Sequence, residues 1–163
     1  MASAILDIGI IGAGIAGLSS AIAFSRAGHS VDLYEKSGFR NETGAAILIG
    51  PKASRILSGW GFDLERARVL DYCQMRRIKA DTTELDSVET FTDIEKNYGG
   101  RWLLFHRADL HSGLRDLVNA QEPQPKIQLS TPVKRRRCGQ WNYLFQQWRA
   151  NEEGPRDYCG WKP

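Results

Sequence analysis

Three glycines near the N-terminus constrain this chain more than anything else in its 163 residues. Gly12-x-Gly14-x-x-Gly17 stands between an apolar run of strand length, residues 5–11, and a stretch with helical spacing, residues 15–26. In that stretch Ile15, Leu18 and Ile22 are apolar, and Ala16, Ala21 and Ala23 are small enough for close packing. Gly28 stands where a left-handed residue ends a helix. Residues 31–34 form a second short apolar strand, with Glu35 at its end. Strand, helix and strand occupy about thirty residues, the size of one βαβ unit.

Each part of the pattern has a physical role. Gly12 permits the tight turn from strand to helix. Gly14 has no side chain, so a diphosphate can approach the backbone. Gly17 lets the helix lie close to the sheet. The helix start offers unpaired N–H groups and the positive end of its dipole to an anion. Glu35, 18 positions beyond Gly17, can accept hydrogen bonds from a ribose, and its charge disfavours a 2′-phosphate. The pattern predicts a site for the ADP half of a dinucleotide and leaves FAD and NAD both open.

Beyond Glu35 the rhythm changes. A polar loop, residues 36–42, leads into an apolar run between Gly44 and Gly50. Pro51 suits the first turn of a helix that shows Ala53, Ile56 and Leu57 on one stripe and ends at Gly59. Residues 76–98 read as exposed hairpin strands. Residues 109–119 read as a helix with Leu110, Leu114, Leu117 and Val118 on one face, and residues 127–133 as one more strand. A nicotinamide dehydrogenase continues β-α-β after its acidic residue, and the broken rhythm here argues against a nicotinamide-only oxidoreductase.

Three blocks together resemble a family: residues 8–35, residues 44–57, and residues 104–114 with His106-Arg107-Ala108-Asp109-Leu110 at their centre. They are similar to the N-terminal part of FAD-dependent aromatic monooxygenases, the salicylate-hydroxylase-like group, over residues 5–133. The resemblance implies an α/β fold with a Rossmann-like FAD-binding βαβ domain. It implies FAD as cofactor and NAD(P)H as co-substrate, used with O2 to hydroxylate an aromatic or small apolar metabolite, with secondary metabolism as a setting. It further implies that Glu35 binds the FAD ribose, that Arg107 contacts FAD, and that a turn at Ala45–Ala46 runs along the cofactor. The family commonly has Gly-Ala-Gly there, so Ala46 is a departure. Arg107, just ahead of a helix, is also placed to reach a phosphate or ribitol oxygen. No residue of this chain is assigned a catalytic role.

Charge and cysteine content exclude other classes. Residues 1–133 hold 15 Lys and Arg against 16 Asp and Glu, while residues 134–163 hold 7 against 3. The body therefore lacks the positive footprint of a nucleic-acid binder. Cys73, Cys138 and Cys159 are too few and scattered for a disulfide framework, which points to a reduced, cytoplasmic setting. The uncharged run over residues 8–24 is too short for a membrane span, and the glycine pattern accounts for it. His106 and His111, five apart, do not share a helix face, so no metal is expected. His29 reads as a solvated loop residue and Cys73 as a small packing residue.

The family pattern is expected to stop near Val133. The tail, residues 134–163, opens on a basic run, holds Trp141, Trp148 and Trp161, and shows no period and no Asp-Gly pair. It reads as unrelated or disordered sequence, and the domain as incomplete. The alternative to an enzyme is a truncated, non-catalytic chain that binds FAD or ADP weakly or not at all.

Overall fold

The computed structural model describes residues 4–39, 44–136 and 143–145. Strand β1 (Asp7–Ile11), helix α1 (Ile15–Arg26) and strand β2 (Ser30–Tyr34) form the first crossover. β1 and β2 are parallel, in register from Asp7 opposite Ser30 to Ile11 opposite Tyr34. The helix ends where the sequence predicts. Gly28 adopts φ +85°, its N–H donates to Ser25 O, and His29 N–H donates to Phe24 O. α1 buries Leu18, Ala21, Ile22 and Ser25, the face turned to the sheet and to the later helix α4.

Strand β3 (Ala46–Ile49) leads into helix α2 (Pro51–Gly59), and β4 (Leu70–Asp71) follows. Strands β5 (Gln74–Ile78) and β6 (Leu85–Thr90) pair as an exposed antiparallel hairpin, as expected. Helix α3 (Ile94–Tyr98) comes next, then β7 (Leu103–His106) and helix α4 (Arg107–Asn119). β7 lies between β3 and β4, antiparallel to both. Strand β8 (Lys126–Gln128) adds a third parallel strand beside β2. Strands β9 (Val133–Arg136) and β10 (Tyr143–Phe145) pair antiparallel.

One core joins these layers. Leu33 of β2, Leu103 and Phe105 of β7, Leu18 and Ile22 of α1, and Leu110, Leu114 and Val118 of α4 are fully or almost fully buried. Phe62 meets Phe105 edge-on at 5.8 Å between ring centroids. A Cβ at Gly113 would collide with the Phe62 ring, so α4 takes that ring against its own backbone.

Several expectations need correction. The buried face of α2 is Ser54 and Leu57, while Ala53 is exposed and Ile56 is 49% exposed. Ser54 tolerates burial because its hydroxyl donates to Arg101 O at 2.6 Å, so a polar side chain does an apolar one's packing. The expected strand over residues 76–98 ends in a helix, α3. Its flanks Asp93 and Gly99 are both left-handed, at φ 55° and 68°, and turn the chain out of extended geometry. α4 begins at Arg107, two residues before the predicted start. The strand expected over 127–133 is two strands, split at a turn where Ser130 takes φ 53°. β9 crosses the predicted boundary at residue 134 and has a partner strand, so the tail begins as paired structure. The rest of that tail, residues 137–142 and 146–163, lies outside the described residues.

Cys73 is exposed and packs no core. His29 is half-buried rather than solvated. Its Nδ1 accepts Leu6 N–H at 3.4 Å and its ring lies 6.2 Å from Phe24, closing the turn after α1.

Candidate cofactor site

The corner between β1 and α1 is built by absence of side chains. Gly12 sits at φ +92°, a conformation that L side chains rarely adopt, and its N–H donates to Tyr34 O at 2.8 Å, tying the turn to β2. A Cβ on Gly17 would collide with Gly12 O, so α1 starts directly against the turn. Gly14 caps α1 with extended backbone and no side-chain hydrogen bond. A Cβ there would meet nothing within 4 Å, so the approach to the helix start is open. The first turn of α1 holds no acidic residue that would neutralise its dipole.

Glu35 closes one side of this corner. It is 9% exposed. Its Oε2 accepts Ala13 N–H at 2.7 Å and its Oε1 accepts Ser37 N–H at 2.8 Å. Burial pushes the carboxyl up. The Ser37 and Ala13 N–H groups, the Ser37 hydroxyl and the Lys36 ammonium outweigh it and hold the group below the ordinary glutamate range. Glu35 is therefore a carboxylate at neutral pH. The two backbone N–H groups and the Ser37 hydroxyl occupy three of the four carboxylate lone pairs, which leaves one for a ligand hydroxyl.

A second pair of candidates meets at the start of α4. Ala46 is opposite His106 in the β3–β7 register, and Arg107 N–H donates to Ala45 O at 3.1 Å. Ala46 is exposed and belongs to β3, which corrects the expected turn: pairing with β7 extends the backbone there. A Cβ on Gly44 would lie 2.9 Å from His106 Cε1 and 3.0 Å from Ala108 N, which is why the strand can enter so close to the helix. Arg107 is exposed, and its guanidinium has no hydrogen bond or ion pair among the described residues. Asp109, in the same first turn of α4, is ion-paired with Arg68 at 2.7 Å, so Arg107, a cation opposing the dipole, is left without an anion of its own among the described residues.

The sequence reading missed His111. It is 4% exposed, on the buried face of α4, and its Nε2 lies 2.7 Å from Ala13 O. Its spacing from Leu114 and Val118 is the signal that would have placed it inward. One turn of α4 thus separates Arg107 from a side chain that touches the glycine turn. A cavity of about 330 Å³ lies elsewhere, between residues 61–67 and α4; Arg66 and Asp116 on its wall are ion-paired at 2.9 Å, and no candidate residue lines it.

The fit to an adenine dinucleotide is thus an open backbone corner at a helix start, with a carboxylate beside it and a cation one turn from His111. Residues 7–100 match the family described as FAD dependent oxidoreductase. The chain belongs to that family. Within the FAD-dependent oxidoreductases, its relatives are monooxygenases. It is 35% identical over 109 residues to the hispidin-3-hydroxylase of Neonothopanus nambi, which covers 67% of this chain and 26% of that one. It is 39% identical over 121 residues to the FAD-dependent monooxygenase cfoG of Aspergillus candidus, covering 72% and 27%. The chain thus spans about a quarter of the length of these relatives. Among solved structures, the tetrameric form of 2-methyl-3-hydroxypyridine-5-carboxylic acid oxygenase superposes with a TM-score of 0.64 at 25% identity, over 81% of this chain and 33% of that one. No helix among the described residues is long and apolar enough to cross a membrane.

Proposed function

We propose that the protein is a FAD-dependent monooxygenase that hydroxylates an aromatic or small apolar metabolite with NAD(P)H and O2. The observation that carries this reading is the open corner at Gly14, flanked by the Glu35 carboxylate. FAD supplies the redox chemistry when bound, taking electrons from NAD(P)H and passing them to O2. The residues of this chain do the holding. The turn at Gly12, Gly14 and Gly17 takes the diphosphate on backbone N–H groups. Glu35 accepts from a ribose hydroxyl. Arg107 bonds a phosphate or ribitol oxygen, and the backbone at Ala46 runs along the cofactor. The names of the hydroxylase and the pyridinecarboxylic acid oxygenase support a ring substrate. A cytoplasmic setting in secondary metabolism fits the same reading.

The test is the visible spectrum of the purified protein, alone and after incubation with FAD. The absorption bands of protein-bound oxidised flavin are the expected result. A folded, colourless protein that takes up no FAD would instead favour the non-catalytic alternative.

A further inference from the structure

We infer that His111 is a positioning residue for the diphosphate: it holds the Ala13–Gly14 peptide so that the Gly14 N–H faces the open corner. The inference rests on the cofactor reading above. It starts from one hydrogen bond, His111 Nε2 to Ala13 O at 2.7 Å. A carbonyl oxygen only accepts, so Nε2 carries the proton. In a planar trans peptide the C=O and the following N–H point in opposite directions. With Ala13 O drawn inward to His111, the Gly14 N–H is turned outward. A Cβ at Gly14 would meet nothing within 4 Å, so the space beside this residue is open. Among the described residues the Gly14 N–H has no hydrogen-bond partner.

Glu35 does the same for the preceding peptide. It takes Ala13 N–H, and Gly12 O therefore faces away from it, toward the place where a Gly17 side chain would collide. Two buried polar side chains, one at the end of β2 and one on α4, thus set two consecutive peptide planes of a turn that has no side chains of its own to do so. Ala13 between them is fully buried.

The imidazole is itself held. The Phe39 ring stands edge-on to it at 5.0 Å and 65°, and the Arg115 guanidinium covers the Phe39 ring at 4.9 Å. Phe39 takes φ 56°, a backbone that disfavours a bulky side chain, so the segment after Glu35 is bent into this contact. The other inward residues of α4, Leu110, Leu114 and Val118, are apolar. His111 is the polar member of that face, and it is spent on the backbone of the turn.

The test compares His111→Gln, His111→Asn and His111→Leu in the full chain, with FAD as the titrant and fluorescence quenching as the readout. Gln places an amide N–H where Nε2 stands. Asn places one nearer the helix, where Nδ1 stands, and Leu has none. Unfolding midpoints without FAD show how much each variant loses in the fold itself. The expected result is that His111→Gln binds FAD within about threefold of the parent, while Asn and Leu bind about tenfold more weakly. His111→Gln and His111→Asn, both amides, are the decisive pair if Leu does not fold. Equal FAD affinity in all variants, or a Gln variant as weak as Asn, overturns the inference and leaves the cofactor reading standing. A parent protein that binds no FAD overturns both.

Discussion

Ala13 donates its backbone N–H to the Glu35 carboxylate across 2.7 Å, a bond that joins residues 22 apart in sequence. The acceptor is a charged group at the end of β2 and the donor is the middle of the glycine turn. Ser37 N–H takes the other oxygen at 2.8 Å. The carboxylate is therefore a structural tie before it meets any ligand. Replacing it by Glu35→Ala strips both N–H groups of their acceptor and is expected to cost about 2 kcal/mol of stability. Urea unfolding of the ligand-free protein measures this.

The same tie sets a pH dependence. The Glu35 pKa in the folded chain is lowered, with burial working against the shift and the Ser37 and Ala13 N–H groups prevailing. A lowered folded pKa means that the unfolded chain takes up its proton first as pH falls. The stabilisation is complete above the unfolded value and is lost as pH drops through the folded one. Unfolding midpoints should fall between neutral and strongly acid pH, and the fall should be smaller in Glu35→Gln, which has no proton to take. Equal pH profiles for the two proteins would refute the assignment.

Gly14 and Gly17 separate function from fold. A Cβ at Gly14 meets open space, whereas one at Gly17 meets Gly12 O. Gly14→Val should leave the unfolding free energy within about 1 kcal/mol of the parent, the cost of a poorer helix cap. It should weaken FAD or ADP binding at least about tenfold, because the side chain fills the diphosphate approach. Gly17→Ala should lose about 2 kcal/mol through overpacking, with or without ligand. Paired unfolding and titration experiments on the two variants check both halves.

What could be read from residues alone follows the physics of each signal. α1 was legible to its ends because periodic apolar residues and a left-handed glycine mark it, and Glu35 bonds Ala13 inside the glycine turn. The face of α2 was misread because Ser54 hides its polarity in a hydrogen bond to Arg101 O, which no hydropathy pattern carries. Ala46 was misplaced because its extended backbone comes from pairing with His106, a partner 60 positions away. His111 went unread as a site residue because its function depends on a carbonyl 98 positions earlier in the chain. Local signals placed the corner, and tertiary hydrogen bonds supplied the groups that hold it.

Arg107 carries the last prediction, in which stability and binding move in opposite directions. Its charge stands in the first turn of α4, at the positive end of the helix dipole, and its guanidinium has no partner among the described residues. Such a placement destabilises an isolated fold by a few tenths of a kcal/mol or more. Arg107→Ala should therefore raise the unfolding midpoint of the ligand-free protein slightly. The same variant should weaken FAD binding about tenfold, since a charge-assisted bond to phosphate is among the stronger hydrogen bonds. Thermal melts without ligand and an FAD titration on the same preparation decide it. A variant that loses stability while keeping its FAD affinity would show that Arg107 serves the fold and not the cofactor.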